Sequence, residues 1–184
     1  MKLSMKIKDF NSIINRCKKY RGNDTTSPVL GYVLLDVRAP KELYVTALDG
    51  HKGITFSVAC NSAETGKILL PAFKPLNKTA DGNVEIKADR GNITVSTAGG
   101  SQTLPTVETD YPNFQRLFPK DEPLQTVYFD PKLLADALSA FAGPVKIDLM
   151  PGPGCFQLTD IDGAKALALP LSPKTTSKQF NENK

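Results

Sequence analysis

An internal repeat restricts the fold of this chain more than any other feature. Apolar residues alternate with period two, the mark of a strand with one covered face, in Leu3-Met5-Ile7, Ile54-Phe56-Val58, Val84-Ile86-Ala88, Val145-Ile147-Leu149 and Leu167-Leu169-Leu171. Two segments carry helical spacing instead. Phe10, Ile13, Ile14 and Cys17 form an i, i+3, i+4, i+7 stripe that begins beside Asp9, read as its cap, and stops before Gly22. Leu133, Leu134, Ala137, Leu138 and Phe141 form the second stripe, opened by Asp130 and Pro131 and closed by Gly143-Pro144. In chain order these features form three units of strand, helix and three further strands: about Lys2 to Cys60, Lys67 to Val107 and Gln125 to Ser172. The helical slot of unit two, Pro71 to Ala80, contains Pro75 and ends at Asp81-Gly82, which leaves room for one or two turns at most. The expected class is α+β, with antiparallel sheets backing helices.

Composition removes many functions. A chain of 184 residues with 40% hydrophobic and 23% charged residues can build a substantial core. It has no apolar run of membrane-spanning length, and its basic start lacks the apolar stretch of a secretory signal, so a cytoplasmic protein without membrane contact is expected. One histidine, His51, and the scattered Cys17, Cys60 and Cys155 cannot supply paired zinc-ligand spacings. Gly99-Gly100 and Pro151-Gly152-Pro153-Gly154 lack the residues of phosphate-binding loops and read as turns. Asp160-Ile161-Asp162-Gly163 opens like a calcium loop, but Leu171 stands where the bidentate acid belongs, so it too reads as a turn. Asp49 and His51 have no nucleophile assignable beside them. Neither an enzyme nor a cofactor is expected.

Charge is unevenly placed. Residues 1 to 22 hold seven bases (Lys2, Lys6, Lys8, Arg16, Lys18, Lys19, Arg21) and one acid, Asp9, a net of +6; the whole chain is +4, so the remainder is −2. Between Lys120 and Ser172, four bases face seven acids. Opposite the first apolar stripe lie Ser12, Asn15 and Lys19, flanked by Arg16 and Lys18. That face reads either as an ordinary solvated surface or as a phosphate-binding one.

Several strings, in order, resemble the bacterial DNA polymerase III beta sliding clamp family. Ser27 to Leu35 (SPVLGYVLL) is similar to the strand after a clamp domain's first helix, and Thr46-Ala47-Leu48-Asp49-Gly50-His51-Lys52 to the family's T-D-G-H-R turn. Asp110 to Pro119 (DYPNFQRLFP) is similar to its F-P-D-Y-R-x-V-L-P linker, Phe129 to Leu138 (FDPKLLADAL) to its last-domain helix, and Leu167-Ala168-Leu169-Pro170-Leu171 to its terminal V-V-M-P-M. The resemblance implies a DNA-clamp fold in which basic helices line a channel around double-stranded DNA, so Arg16, Lys18, Lys19, Arg21, Lys74 and Lys78 become expected DNA contacts. It also implies a hydrophobic cleft for DNA polymerase and clamp-loader peptides. Carried over by position, that cleft takes Leu48, Gly50, His51, Lys52 and Gly53 from the turn, Pro112 and Leu117 from the linker, and Leu167, Leu169 and Leu171 from the last strand.

The chain departs from the family in size. Family chains have three domains of two units each; here residues 1–118 form one clamp-like domain, 119–172 half of one, and 173–184 a tail expected to be disordered. A family ring has about twelve units, so chains of three units imply a homo-oligomer of four, if unit three of one chain completes a domain with that of another. The expected function is a sliding clamp, or polymerase processivity factor. The alternatives are a clamp-derived adaptor or decoy that binds such peptides without encircling DNA, and a plain nucleic-acid-binding β module.

Overall fold

The computed structural model describes residues 1–22, 27–77, 82–117, 126–149 and 156–168, with Gln115, Leu117, Leu149, Phe156, Leu167 and Ala168 described in backbone only. The chain divides into two units, Met1–Pro119 and Lys120–Lys184.

In the first unit, β1 (Lys2–Lys6) runs directly into α1 (Ile7–Cys17), a 3-10 turn over Lys18–Tyr20 follows, and a second one spans Pro28–Gly31. Then come β2 (Val33–Ala39), β3 (Glu42–Leu48), β4 (Gly53–Ala59), the short β5 (Asn61–Ser62), β6 (Gly66–Leu70), β7 (Asn83–Asp89), β8 (Asn92–Thr97) and β9 (Gly100–Pro105). The strands form two antiparallel sheets, ordered β5-β1-β7-β8-β9 and β4-β3-β2-β6.

These orders show that the two repeats interleave. β1, the first strand of repeat one, pairs with β7 of repeat two, with Leu3 opposite Ile86 and Met5 opposite Val84. β6, the first strand of repeat two, pairs in turn with β2 of repeat one, with Ile68 opposite Leu35 and Leu70 opposite Val33. Each repeat therefore completes the other's sheet, and neither has a full sheet alone. The alternation decides which side is covered: Leu3, Met5, Val84, Ile86, Ile93 and Val95 of one sheet and Val33, Leu35, Val37, Leu43, Val45, Ile68 and Leu70 of the other enter one core.

α1 joins that core through Ile7, Phe10, Ile13, Ile14 and Cys17, and it touches β3 of one sheet and β7 of the other. Burying each of its large apolar side chains stabilises the fold by about 1.5–3 kcal/mol. The helix begins at Ile7 and not at Asp9; Lys6 holds the cap position without a side-chain hydrogen bond. Its opening N–H, that of Ile7, donates to the Gly82 carbonyl of repeat two (3.0 Å). A backbone acceptor thus does what a capping side chain does elsewhere, and Asp9 sits in the first turn, where a negative charge favours the helix dipole.

The helical slot of unit two holds no helix over the described Pro71–Asn77. The segment instead lies against α1, with the Phe73 ring edge-on to Phe10 at 5.5 Å. The buried Asn11 fixes it: the Asn11 Nδ2 group donates to the Leu76 carbonyl (3.0 Å), and the Leu76 N–H donates to Asn11 Oδ1 (2.7 Å). One side chain thereby satisfies both backbone groups of Leu76.

In the second unit, α2 (Pro131–Ser139) precedes β10 (Val145–Leu149), β11 (Phe156–Asp160) and β12 (Lys165–Ala168), which form an antiparallel sheet in that order. Asp130 caps α2 as expected, accepting from the Lys132 N–H at 2.8 Å, with Pro131 at the first position. Asp160 makes the expected turn between β11 and β12, its Oδ1 accepting from the N–H groups of Asp162 (3.0 Å) and Ala164 (2.9 Å). The strand expected over Leu167–Leu171 is described only as far as Ala168; Leu169, Leu171 and the tail 173–184 lie outside the described residues.

Candidate functional site

Two surfaces of the first unit carry the residues singled out in the sequence. The first is the outer face of α1. With the apolar stripe buried, Lys8, Ser12, Asn15, Arg16, Lys18 and Lys19 are exposed, and Arg21 is half-buried just beyond. Among the described residues, Lys8, Lys18 and Lys19 form no salt bridge. Lys8 shares the face of Asn15 and Lys19 by helical period, a position that the expected DNA contacts omitted although its spacing was readable. Arg16 stands with its guanidinium 4.7 Å from the centre of the Phe56 ring on β4, a cation–π contact that holds its charge beside the sheet. Lys18 and Lys19 also close the C-terminal end of the helix, where cations are favoured whether or not a ligand is present. Lys74 is exposed on the segment that Asn11 holds, and Lys78 lies outside the described residues. Beneath this face, burial pushes the Cys17 thiol up to about 12 against the pull of Arg21 and Arg16. At neutral pH it is a core residue and a poor nucleophile.

The second surface is the turn between β3 and β4. Asp49 Oδ1 accepts from the N–H groups of His51 (3.0 Å) and Lys52 (2.9 Å), while the Asp49 N–H donates to the Lys52 carbonyl (3.1 Å). Those two backbone donors, Lys52 foremost, hold the Asp49 carboxyl below its ordinary range. Gly50 adopts φ +94°, a left-handed conformation that glycine takes without strain. Asp49 is therefore the organiser of the turn, and His51 and Lys52 project from it exposed, the ammonium of Lys52 lying 5.9 Å from the Tyr20 ring centre.

The linker packs against this turn. The Tyr111 hydroxyl accepts from the Leu48 N–H and donates to the Tyr32 carbonyl, both at 3.2 Å, tying the linker to the end of β3 and the start of β2. Burial pushes Tyr111 up to about 12, partly opposed by the Leu48 N–H. Phe114 lies so close to Gly53 that a Cβ there would come within 2.4 Å of its ring, so only glycine admits this approach. The structure thus brings together Leu48, Gly50, His51, Lys52, Gly53 and the exposed Pro112. Leu48 is buried, so its side chain is not an exposed contact of this surface. Tyr111 and Phe114 were absent from the expected cleft residues, although their aromatic side chains stand in the same linker string. Leu117 and Leu167 have no described side chain, and Leu169 and Leu171 lie outside the described residues. Among the described residues, no group of His, Cys, Asp and Glu could hold a metal ion, and no helix is long and apolar enough to cross a membrane.

Interleaved repeats of this kind, with antiparallel sheets covering the apolar side of a helix, are those of the DNA-clamp fold, as expected. Solved structures make the likeness specific to bacterial DNA polymerase III beta sliding clamps. The Bacillus subtilis clamp superposes with a TM-score of 0.75 at 16% identity, over 92% of this chain and 48% of the clamp. The Streptococcus pneumoniae beta chain gives 0.76 at 19%, over 94% and 50%, and the Bartonella birtlesii clamp bound to griselimycin gives 0.73 at 16%, over 93% and 51%. The chain therefore has the beta-clamp fold and spans about half the length of these clamps. No family model matches the sequence, and no curated protein does.

Proposed function

We propose that this chain is a DNA sliding clamp, a processivity factor without enzymatic activity that encircles duplex DNA as an oligomeric ring and tethers replication proteins through a peptide cleft. The observation that carries this reading is α1 itself. In a chain with the beta-clamp fold, its apolar side is fully committed to the core, and its outer side, with the 3-10 turn that continues it, exposes Lys8, Arg16, Lys18 and Lys19. Phosphate contacts from Lys8, Arg16, Lys18, Lys19, Arg21, Lys74 and Lys78 carry no base information, so they hold a duplex without fixing the ring to one sequence. Leaving closed DNA then requires an interface to open, which converts weak contacts into long residence.

The cleft part of the reading rests on the turn and linker. In the first unit the proposed peptide contacts are Gly50, His51, Lys52, Gly53, Pro112 and Leu117, with the buried Leu48; in the second unit they are Leu167, Leu169 and Leu171. Exposed apolar anchors with a few polar groups suit a short linear peptide. Pro112→Glu, at an exposed position, should reduce binding of a hydrophobic clamp-binding peptide at least tenfold in fluorescence anisotropy while leaving the circular dichroism spectrum unchanged. Unchanged affinity would remove Pro112 from the cleft.

One observation favours the adaptor reading: Pro71–Asn77 is not helical, so one inner helix of the usual pair is missing from the described domain. Peptide binding without retention on circular DNA would support the adaptor. Equal loss from circular and linear DNA would support a plain DNA binder.

A further inference from the structure

We infer that the Lys120–Lys184 unit is half of a domain completed by a second copy of this chain, each copy laying residues 126–130 along the outer edge of the other's β10. This specifies one contact of the proposed ring and rests on that reading for its purpose.

The first unit shows how a half of this type is completed. Each three-strand set receives, beside its first strand, the leading strand of another half: β1 lies on β7, and β6 lies on β2. The second unit has α2 and three strands, and among the described residues β10 pairs only with β11. An edge strand left this way is a template for another chain.

Burial at matched positions marks what is missing. Ile86 lies opposite Val95 in the β7–β8 hairpin and is fully buried beside Leu3. Ile147 holds the same place opposite Leu158; Leu158 is 0% exposed, but Ile147 is 53% exposed. The helices differ in the same way. Phe10, Ile13, Ile14 and Cys17 of α1 are buried, whereas the matching Leu134, Ala137, Leu138 and Phe141 after Asp130 all retain exposure, and α2 has no buried residue. Of the exposed large apolar residues among those described, Tyr128, Leu133, Leu138, Ile147 and Ile161 belong to this unit and Val107 alone to the other. Leu138 and Ile147, exposed at positions that the first unit buries, call for a second layer.

The occupant follows from the chain itself. The strand wanted is one that leads directly into a helix, as β1 leads into α1, and residues 126–130 (TVYFD) hold that place before α2. Val127 and Phe129 alternate as Leu3 and Met5 do. Each copy carries one such segment and, among the described residues, one β10 edge without a second strand, so a two-fold axis satisfies both at once. Carrying over the register of β1 on β7 sets Val127 opposite the partner's Ile147, and Phe129 opposite the partner's Val145.

The full chain carrying Cys155→Ser, Val127→Cys and Ile147→Cys tests this under mild oxidation. The expected product on a non-reducing gel is a disulfide-linked pair of chains, absent from either single-cysteine variant. Light scattering should give an even number of chains for the unmodified protein, and Ile147→Lys should halve that mass with unchanged circular dichroism. A single-chain mass at about 100 μM, a disulfide within one chain, or a two-chain mass without the cross-link would overturn the exchange. DNA retention is read separately: cross-linking without retention leaves the exchange standing and removes the ring, and retention without cross-linking does the reverse.

Discussion

Tyr111 joins the linker to the β3–β4 turn through one hydroxyl that serves the Leu48 N–H and the Tyr32 carbonyl. Tyr111→Phe leaves both groups with the linker packed over them, and the expected loss is about 1–3 kcal/mol in urea unfolding. A loss below about 0.3 kcal/mol would mean that water replaces the hydroxyl without penalty. The same residue gives the protein an alkaline limit. Its folded value of about 12 is raised above the ordinary 10, so the contribution is full below pH 10 and disappears as pH rises through about 12, while the unfolded chain ionises first. Asp49 works in the opposite direction: its carboxyl is lowered, so the turn keeps that contribution above the ordinary carboxylate range and loses it as pH falls through the depressed value. The turn string made Asp49 and Gly50 readable as a tight turn. The two hydrogen bonds of Tyr111 were not readable, because they join residues 63 and 79 positions apart.

At the scale of elements, α1 was legible in its apolar stripe and its cationic outer face, since both follow from helical period alone. Its start was not. The Gly82 carbonyl that receives the Ile7 N–H comes from the other repeat, and local sequence cannot announce a distant acceptor. Likewise, Pro75 and Asp81-Gly82 argued correctly against a long second helix, but only the structure shows that Asn11 holds the replacement segment in place. The exposed bases of the 3-10 turn that continues α1 give a quantitative expectation. Lys18→Glu with Lys19→Glu should weaken duplex binding and lower the slope of log K against log salt by about two, at about 0.9 for each phosphate no longer neutralised. Unchanged affinity and slope in a salt titration would assign these lysines to the helix end alone.

For the whole molecule, the alternating pattern identified inward-facing residues such as Leu3, Met5, Val84 and Ile86, yet it could not say which strands share a sheet. Contiguity suggests that a repeat folds on itself; in the first unit each of the two repeats lends its leading strand to the other. That exchange makes the first unit a closed domain with one core, and it makes Ile147 and the α2 stripe of the second unit read as half of an interface. A ring assembled from such halves, as proposed, would hold DNA by enclosure, with weak phosphate contacts from the α1 face as its inner surface. The most direct test is retention of the full-length protein on a nicked circular plasmid after loading, measured at about 0.3 M salt before and after a single restriction cut. The sliding-clamp account predicts that the protein stays on the circle and leaves within minutes of linearisation; equal retention, or equal loss, from both forms would contradict it.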